Sequence, residues 1–176
     1  MAILPIIVAP DPRLKLVSRP VDKVDAAVAR LMDDMLETMY AAPGIGLAAP
    51  QVSVPMRVIV VDIARKDKGE EPISLKMANP QLIATSEEVK SWDEGCLSLP
   101  EHYAEVVRPS RATVRYLDEN NKRREVEADG VLAVCLQHEM DHLDGIIFVD
   151  HVSMLKRNMI LRKLRKAKKL GTLAAE

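Results

Sequence analysis

Residues 130–145 read GVLAVCLQHEMDHLDG, and this stretch decides what kind of molecule the rest must build. Its apolar residues, Val131, Leu132, Val134, Leu136 and Leu143, recur at helical spacing, and Gly145 supplies a stop. A helix apolar around most of its circumference belongs at the centre of a domain. Near the end of this one stand two histidines, His138 and His142, four residues apart. At that interval both imidazoles leave the same face one turn apart and can meet one cation. Glu139, beside the first histidine, is turned roughly 100° away. It cannot complete the chelate, but it can reach a water at the metal and act as general base.

Two histidines do not make a site, and the chain has two cysteines from which to draw a third ligand. Cys135 lies on the same helix three residues before His138, whereas Cys96 is remote, in WDEGCLSLP (residues 92–100). A closed structural zinc site would take both thiols; an open catalytic one would take one and leave a position for water. The surroundings favour the open form with Cys96. A structural site needs no glutamate beside its ligand, and Gly95-Cys96-Leu97 can aim a thiolate and the Leu97 amide at one point. Cys135, among Leu132, Leu136 and Leu143, reads as a small core residue.

Working outward, apolar spacing predicts a first helix from about Asp25 to Tyr40 and a last one from Ser153 to about Leu170. Between them PGIGLAAPQ (43–51) reads as a loop whose backbone approaches something closely. Strands are expected at Arg57–Asp62, Leu75–Ala78, Leu82–Ala84, Ala104–Val107, Ala112–Leu117 and Arg124–Glu127, the last two joined by a turn at Asp118–Asn121. The expected architecture is α+β: antiparallel sheets packed around a central metal-binding helix, with an N-terminal and a C-terminal helix. At 176 residues a single domain, 1–176, can carry its own core. Loops 44–51 and 94–98 wall the cleft, with Ile45, Gly46 and Gly95 against the substrate. Val131, Val134 and Cys135, one to two turns before His138 on its face of the helix, are expected to line an apolar side pocket.

The chain has no apolar run long enough to span a bilayer and no basic leader before its first apolar residues, so a cytoplasmic protein without a membrane partner is expected. Of 25 Lys and Arg residues, eight fall between 153 and 170, where no acid occurs, so the remainder carries 17 basic against 26 acidic residues. A basic helix on an acidic body suits a polyanion through phosphate contacts, with no sequence-specific nucleic-acid binding implied.

Three segments together, GIGLAAPQ (44–51), EGCLS (94–98) and QHEMDHLDG (137–145), resemble the three motifs of the peptide deformylases in order and approximate spacing. The likeness extends over nearly the whole chain, and the helical tail resembles the class common in Gram-negative bacteria and organelles. The resemblance implies removal of the formyl group from N-formylmethionyl nascent peptides, with release of formate. It implies Cys96, His138 and His142 as metal ligands, Glu139 as general acid and base, and Gln51 and the Leu97 amide as oxyanion donors. It also implies Fe(II), where ligand chemistry alone would suggest Zn(II), and a ribosome-facing role for the 153–170 helix. The methionine side chain would then occupy the Val131 and Val134 pocket. An H-E-x-x-H helix serves metallopeptidases equally well, and formate release separates the two.

Overall fold

The computed structural model describes residues 1–173. The first helix, α1 (Ala26–Ala41), begins where Asp25 accepts hydrogen bonds from the Ala27 and Val28 amides, and it buries Val28, Met32, Met35 and Met39 along one face. It packs on a five-stranded antiparallel sheet. The strands of that sheet are β1 (Gly46–Ala48), β2 (Val58–Val61), β3 (Leu75–Thr85), β6 (Arg111–Leu117) and β7 (Arg123–Asp129), in the order β1-β2-β3-β6-β7. A separate two-stranded sheet is the hairpin of β4 (Val89–Cys96) and β5 (Leu99–Pro109).

The central helix, α2 (Gly130–Leu143), lies on the opposite face of the large sheet from α1. Its two sides explain the β2 sequence VIVV. Val58 and Val60 point into the α1 core, Ile59 and Val61 into the α2 core, so every position is apolar. A third core gathers the N-terminal segment Ile7–Ala9, β5, Phe148 and Val149 around the last helix, α3 (Met154–Lys169).

The expected strands at 75–78 and 82–84 are one strand. Between the two segments Asn79 takes a left-handed φ of 49°, and its side chain bonds both the amide and the carbonyl of Val21. The irregularity is absorbed as register shifts against β6. The sequence reading also missed β4, whose residues are mostly exposed and lack an apolar face. The 43–51 loop contains a short edge strand, β1, paired with β2 alone, followed by a 3-10 turn at Ala49–Val52. At the opposite edge β7 carries Arg123, Arg124, Glu125, Glu127 and Asp129, charges that discourage pairing with another chain.

Apolar spacing offers α3 a stripe of Leu155, Met159 or Ile160, Leu164 and Ala167, and the docking face is only partly that stripe. Leu155 is 81% exposed and Met159 half exposed, while Ile160, Leu161 and Leu164 are buried. Positions 160, 161 and 164 form one helical face, and 155 and 159 lie on the other side.

Candidate metal centre

Three elements converge below the open edge of β1. Cys96 ends β4, where the register shifts between Gly95 and Cys96, and α2 supplies His138 and His142. The ligand atoms of Cys96, His138 and His142 all lie within 4.8 Å of one another, and Cys96 Sγ is 3.3 Å from His142 Nε2. The other ring nitrogen of His138 is committed: Nδ1 donates to Glu94 Oε1 at 2.8 Å, which leaves Nε2 facing the thiol and the second imidazole. A carboxylate behind a histidine fixes both tautomer and ring plane, as at many metal sites.

Glu94 is itself gripped from behind. Arg108 donates Nε to Oε2 at 2.6 Å and Nη2 to Oε1 at 3.0 Å, both side chains being buried. The sequence reading did not anticipate the hold of Glu94 on His138. Positions 94, 108 and 138 meet only through the fold, so no local spacing announces the network.

Burial alone would discharge His138, yet its hydrogen bonds to Cys96 and Glu94 raise its pKa well above the ordinary value. Burial, and then His138 itself, push His142 well below it. A thiol, a carboxylate and a neutral imidazole thus surround a point that demands positive charge. One soft sulfur and two imidazole nitrogens suit a divalent transition metal, so the residues present fit such an ion.

Glu139 lies 4% exposed beside this point, and among the described residues its Oε2 has no hydrogen-bond partner. Burial, offset in part by His138, raises its pKa to about 7. Gly46 makes room for it: a Cβ there would run into Glu139 Oε1 and stand 2.8 Å from Cys135 Sγ. Gln51 is fully buried, and its amide orientation is fixed because Oε1 accepts the Ala48 N–H at 2.9 Å. Its Nε2 therefore points at Ser98 Oγ, 3.1 Å away, and Cys96 Sγ, 3.4 Å away. Nothing in the sequence marks Ser98 as the group that helps hold this amide.

The ligand set opens into a cleft of roughly 940 Å³. Ile45, Gly46 and Gln51 line one wall, Gly95, Cys96, Leu97 and Tyr103 another, and Ile3, Leu4, Ile6 and Val8 add an apolar side. Val131 is 46% exposed near the start of α2, and Val134 is buried. They share the angular face of His138 and lie about 10 and 6 Å back along the axis. Cys135 is outside the ligand set, its Sγ directed at the Ile45 carbonyl 3.6 Å away.

Fold and site together fit a metal-dependent hydrolase, with one thiol and two imidazoles that could hold an ion and a buried glutamate beside them. The sequence model of the polypeptide deformylases matches residues 3–158, and the chain belongs to that family. A peptide deformylase of Methylocella silvestris is 57% identical over 97% of this chain and 87% of its own length. One from Agrobacterium fabrum is 53% identical over 95% of this chain and 97% of its own. Among solved structures, a peptide deformylase from Ehrlichia chaffeensis superposes with a TM-score of 0.92 at 38% identity, covering 98% of this chain and all of that one. A second structure from that organism, in complex with actinonin, gives 0.91 at 42% identity, over 96% of this chain and 99% of that one.

Proposed function

We propose that this chain hydrolyses the N-terminal formyl amide of formylmethionyl peptides, releasing formate, and that Cys96, His138 and His142 hold the ion that makes this possible. The observation that carries the reading is Glu139: a buried carboxyl with a pKa near 7, set against a Cys-His-His cluster that opens into a cleft. A divalent ion held by that cluster would supply a Lewis acid that lowers the pKa of water, so that hydroxide is available near neutral pH. Fe(II) is the ion this reading assigns, with Zn(II) or another divalent metal able to use the same donors.

Glu139 Oε2 accepts the proton of the attacking water and returns it to the nitrogen of the leaving amine. A pKa near the working pH serves both steps. Gln51 Nε2, held in orientation by Ala48, and the Leu97 N–H donate to the formyl oxygen as it gains charge. Loss of one such donor typically costs about 100-fold to 1,000-fold in rate. The edge strand β1 and the residue before it offer the backbone of Gly46 and Ile45 to an extended peptide, and on the facing wall Gly95 makes room for the Tyr103 ring. The face of α2 that carries Val131 and Val134, with the apolar side of the cleft, takes the methionine side chain.

No helix of the described residues is long and apolar enough to cross a membrane. The reading places the chain in the cytoplasm, where formylated chains emerge. Lys156, Arg162, Lys163, Arg165, Lys166, Lys168 and Lys169 lie exposed on α3, a surface suited to ribosomal phosphates. Replacing Arg162, Lys163 and Lys166 with glutamate should weaken salt-sensitive ribosome co-sedimentation while sparing activity on free peptides.

The deciding experiment loads the protein anaerobically and measures formate release from a formylmethionyl tripeptide beside the unformylated one. Formate from the first and no cleavage of the second is expected, and the opposite pattern would make the protein a peptidase. Glu139→Ala should retain its metal and lose at least about 100-fold in kcat; loss of the metal instead would remove the role assigned to Glu139.

A further inference from the structure

Behind the ligand His138 the hydrogen bonds continue outward to a histidine that the cleft chemistry does not use. Arg108 turns two N–H groups to Glu94, and its Nη1 donates to Asp141 Oδ2 at 2.9 Å. The same oxygen accepts from His151 Nε2 at 2.7 Å. His151 ends the 3-10 turn Phe148–His151, beyond α2, and Asp141 stands on α2 three residues after His138. The chain His151–Asp141–Arg108–Glu94–His138 thus leaves α2, crosses the β4–β5 hairpin and returns to α2.

Side-chain exposure falls along it: 36% at His151, 22% at Asp141, 6% at Arg108 and 4% at Glu94. The outer members decide whether the inner ones stay put. Arg108 is too deep to exchange a lost acceptor for bulk water, whereas Asp141 is exposed enough to turn outward. His151 holds Asp141 Oδ2 inward, and Arg108 keeps its third partner only while it does.

We propose that His151 is a positioning residue, which through Asp141, Arg108 and Glu94 fixes the ring plane of His138 and so the hold of the site on its ion. The proposal rests on the reading of His138 as a ligand. Its chemistry is that of the carboxylate behind a ligating histidine, extended by a guanidinium, a second carboxylate and a second imidazole.

The test uses Zn(II)-loaded full-length protein and follows metal loss to an excess of chelator. Glu94→Gln should speed loss by about 10-fold to 100-fold, and His151→Ala by about 3-fold to 10-fold. His151→Gln keeps an N–H donor and should restore most of the native rate. Groups acting in series are non-additive, so in a Glu94→Gln background His151→Ala should change the rate by less than about 2-fold. Arg108→Lys takes the place of Glu94→Gln if that variant does not fold. An equal His151→Ala effect in both backgrounds, or none in the native one, overturns the proposal. Failure of the ligand reading itself looks different: the native protein then takes up no Zn(II), or His142→Ala holds it as tightly as the native protein does.

Discussion

Cys96 and Cys135 are the same residue type put to different use. Cys96 sits with both imidazoles, whereas Cys135 is 5% exposed, packed beside Gly46, its thiol pushed well up in pKa by burial and then by Glu139. Cys96→Ser should therefore lower metal affinity and activity severely. Cys135→Ala should keep the metal and cost on the order of 1 kcal/mol of stability. Metal content and urea midpoints on the two variants check this together. The contrast shows what residue spacing can and cannot tell. Four residues on a helix put His138 and His142 on one face, and a glycine-flanked thiol drew attention to Cys96. Glu94, Arg108 and Ser98 contact the site only after two sheets and a helix have packed, so their roles have no local signature.

Helix α3 is where element-level reading went partly astray. Its capping by Ser153 and its basic surface were legible, since both are local. Its buried face was not, because a helix with apolar residues on two sides needs a partner to choose between them. The partner is the core of Leu14, Leu99, Phe148 and Val149, which takes Ile160, Leu161 and Leu164. Leu164→Ala should cost about 3 kcal/mol, as buried leucine truncations do, and Leu155→Ala close to nothing; thermal unfolding of the two variants separates them. Removing residues 160–176 would strip the core of those three side chains, so charge reversal on the exposed face is the cleaner probe of the tail. A strand such as β4, polar on both faces, is specified by its partner β5 more than by its own pattern.

For the whole molecule, stability toward acid rests on carboxylates held below their ordinary range. A side-chain hydrogen bond from Arg13 lowers Asp11 to about 2. Burial would raise Asp118, but Arg124 and the amides of Lys122 and Asn120 outweigh it; Lys15, the Ile147 amide and Arg157 do the same for Asp150. Each such group binds fewer protons folded than unfolded, so its contribution is complete above an unfolded pKa of about 3.9 and vanishes as pH falls through the lower folded value. Asp118→Asn should thus be less stable than the native protein above about pH 5, and the gap should close toward pH 2. A gap that is independent of pH in urea titrations would assign the effect to packing. The α+β class was legible from the alternation of helical and strand spacing. The division of the core into three was not, because it depends on which faces the sheet presents to α1 and α2.

The β4–β5 hairpin shares no ladder with the five-stranded sheet, yet it carries the thiol while α2 carries both imidazoles. An ion bound by all three would be a removable crosslink between two separately hydrogen-bonded parts. Without it the hairpin should open at lower free energy than the large sheet, and amide hydrogen exchange should show β4 and β5 slowing selectively as metal is added. Limited proteolysis would then cut the metal-free chain within this hairpin first. A cell would need no dedicated sensor to tell loaded enzyme from spent: the frayed wall of the cleft would itself mark the molecule for turnover.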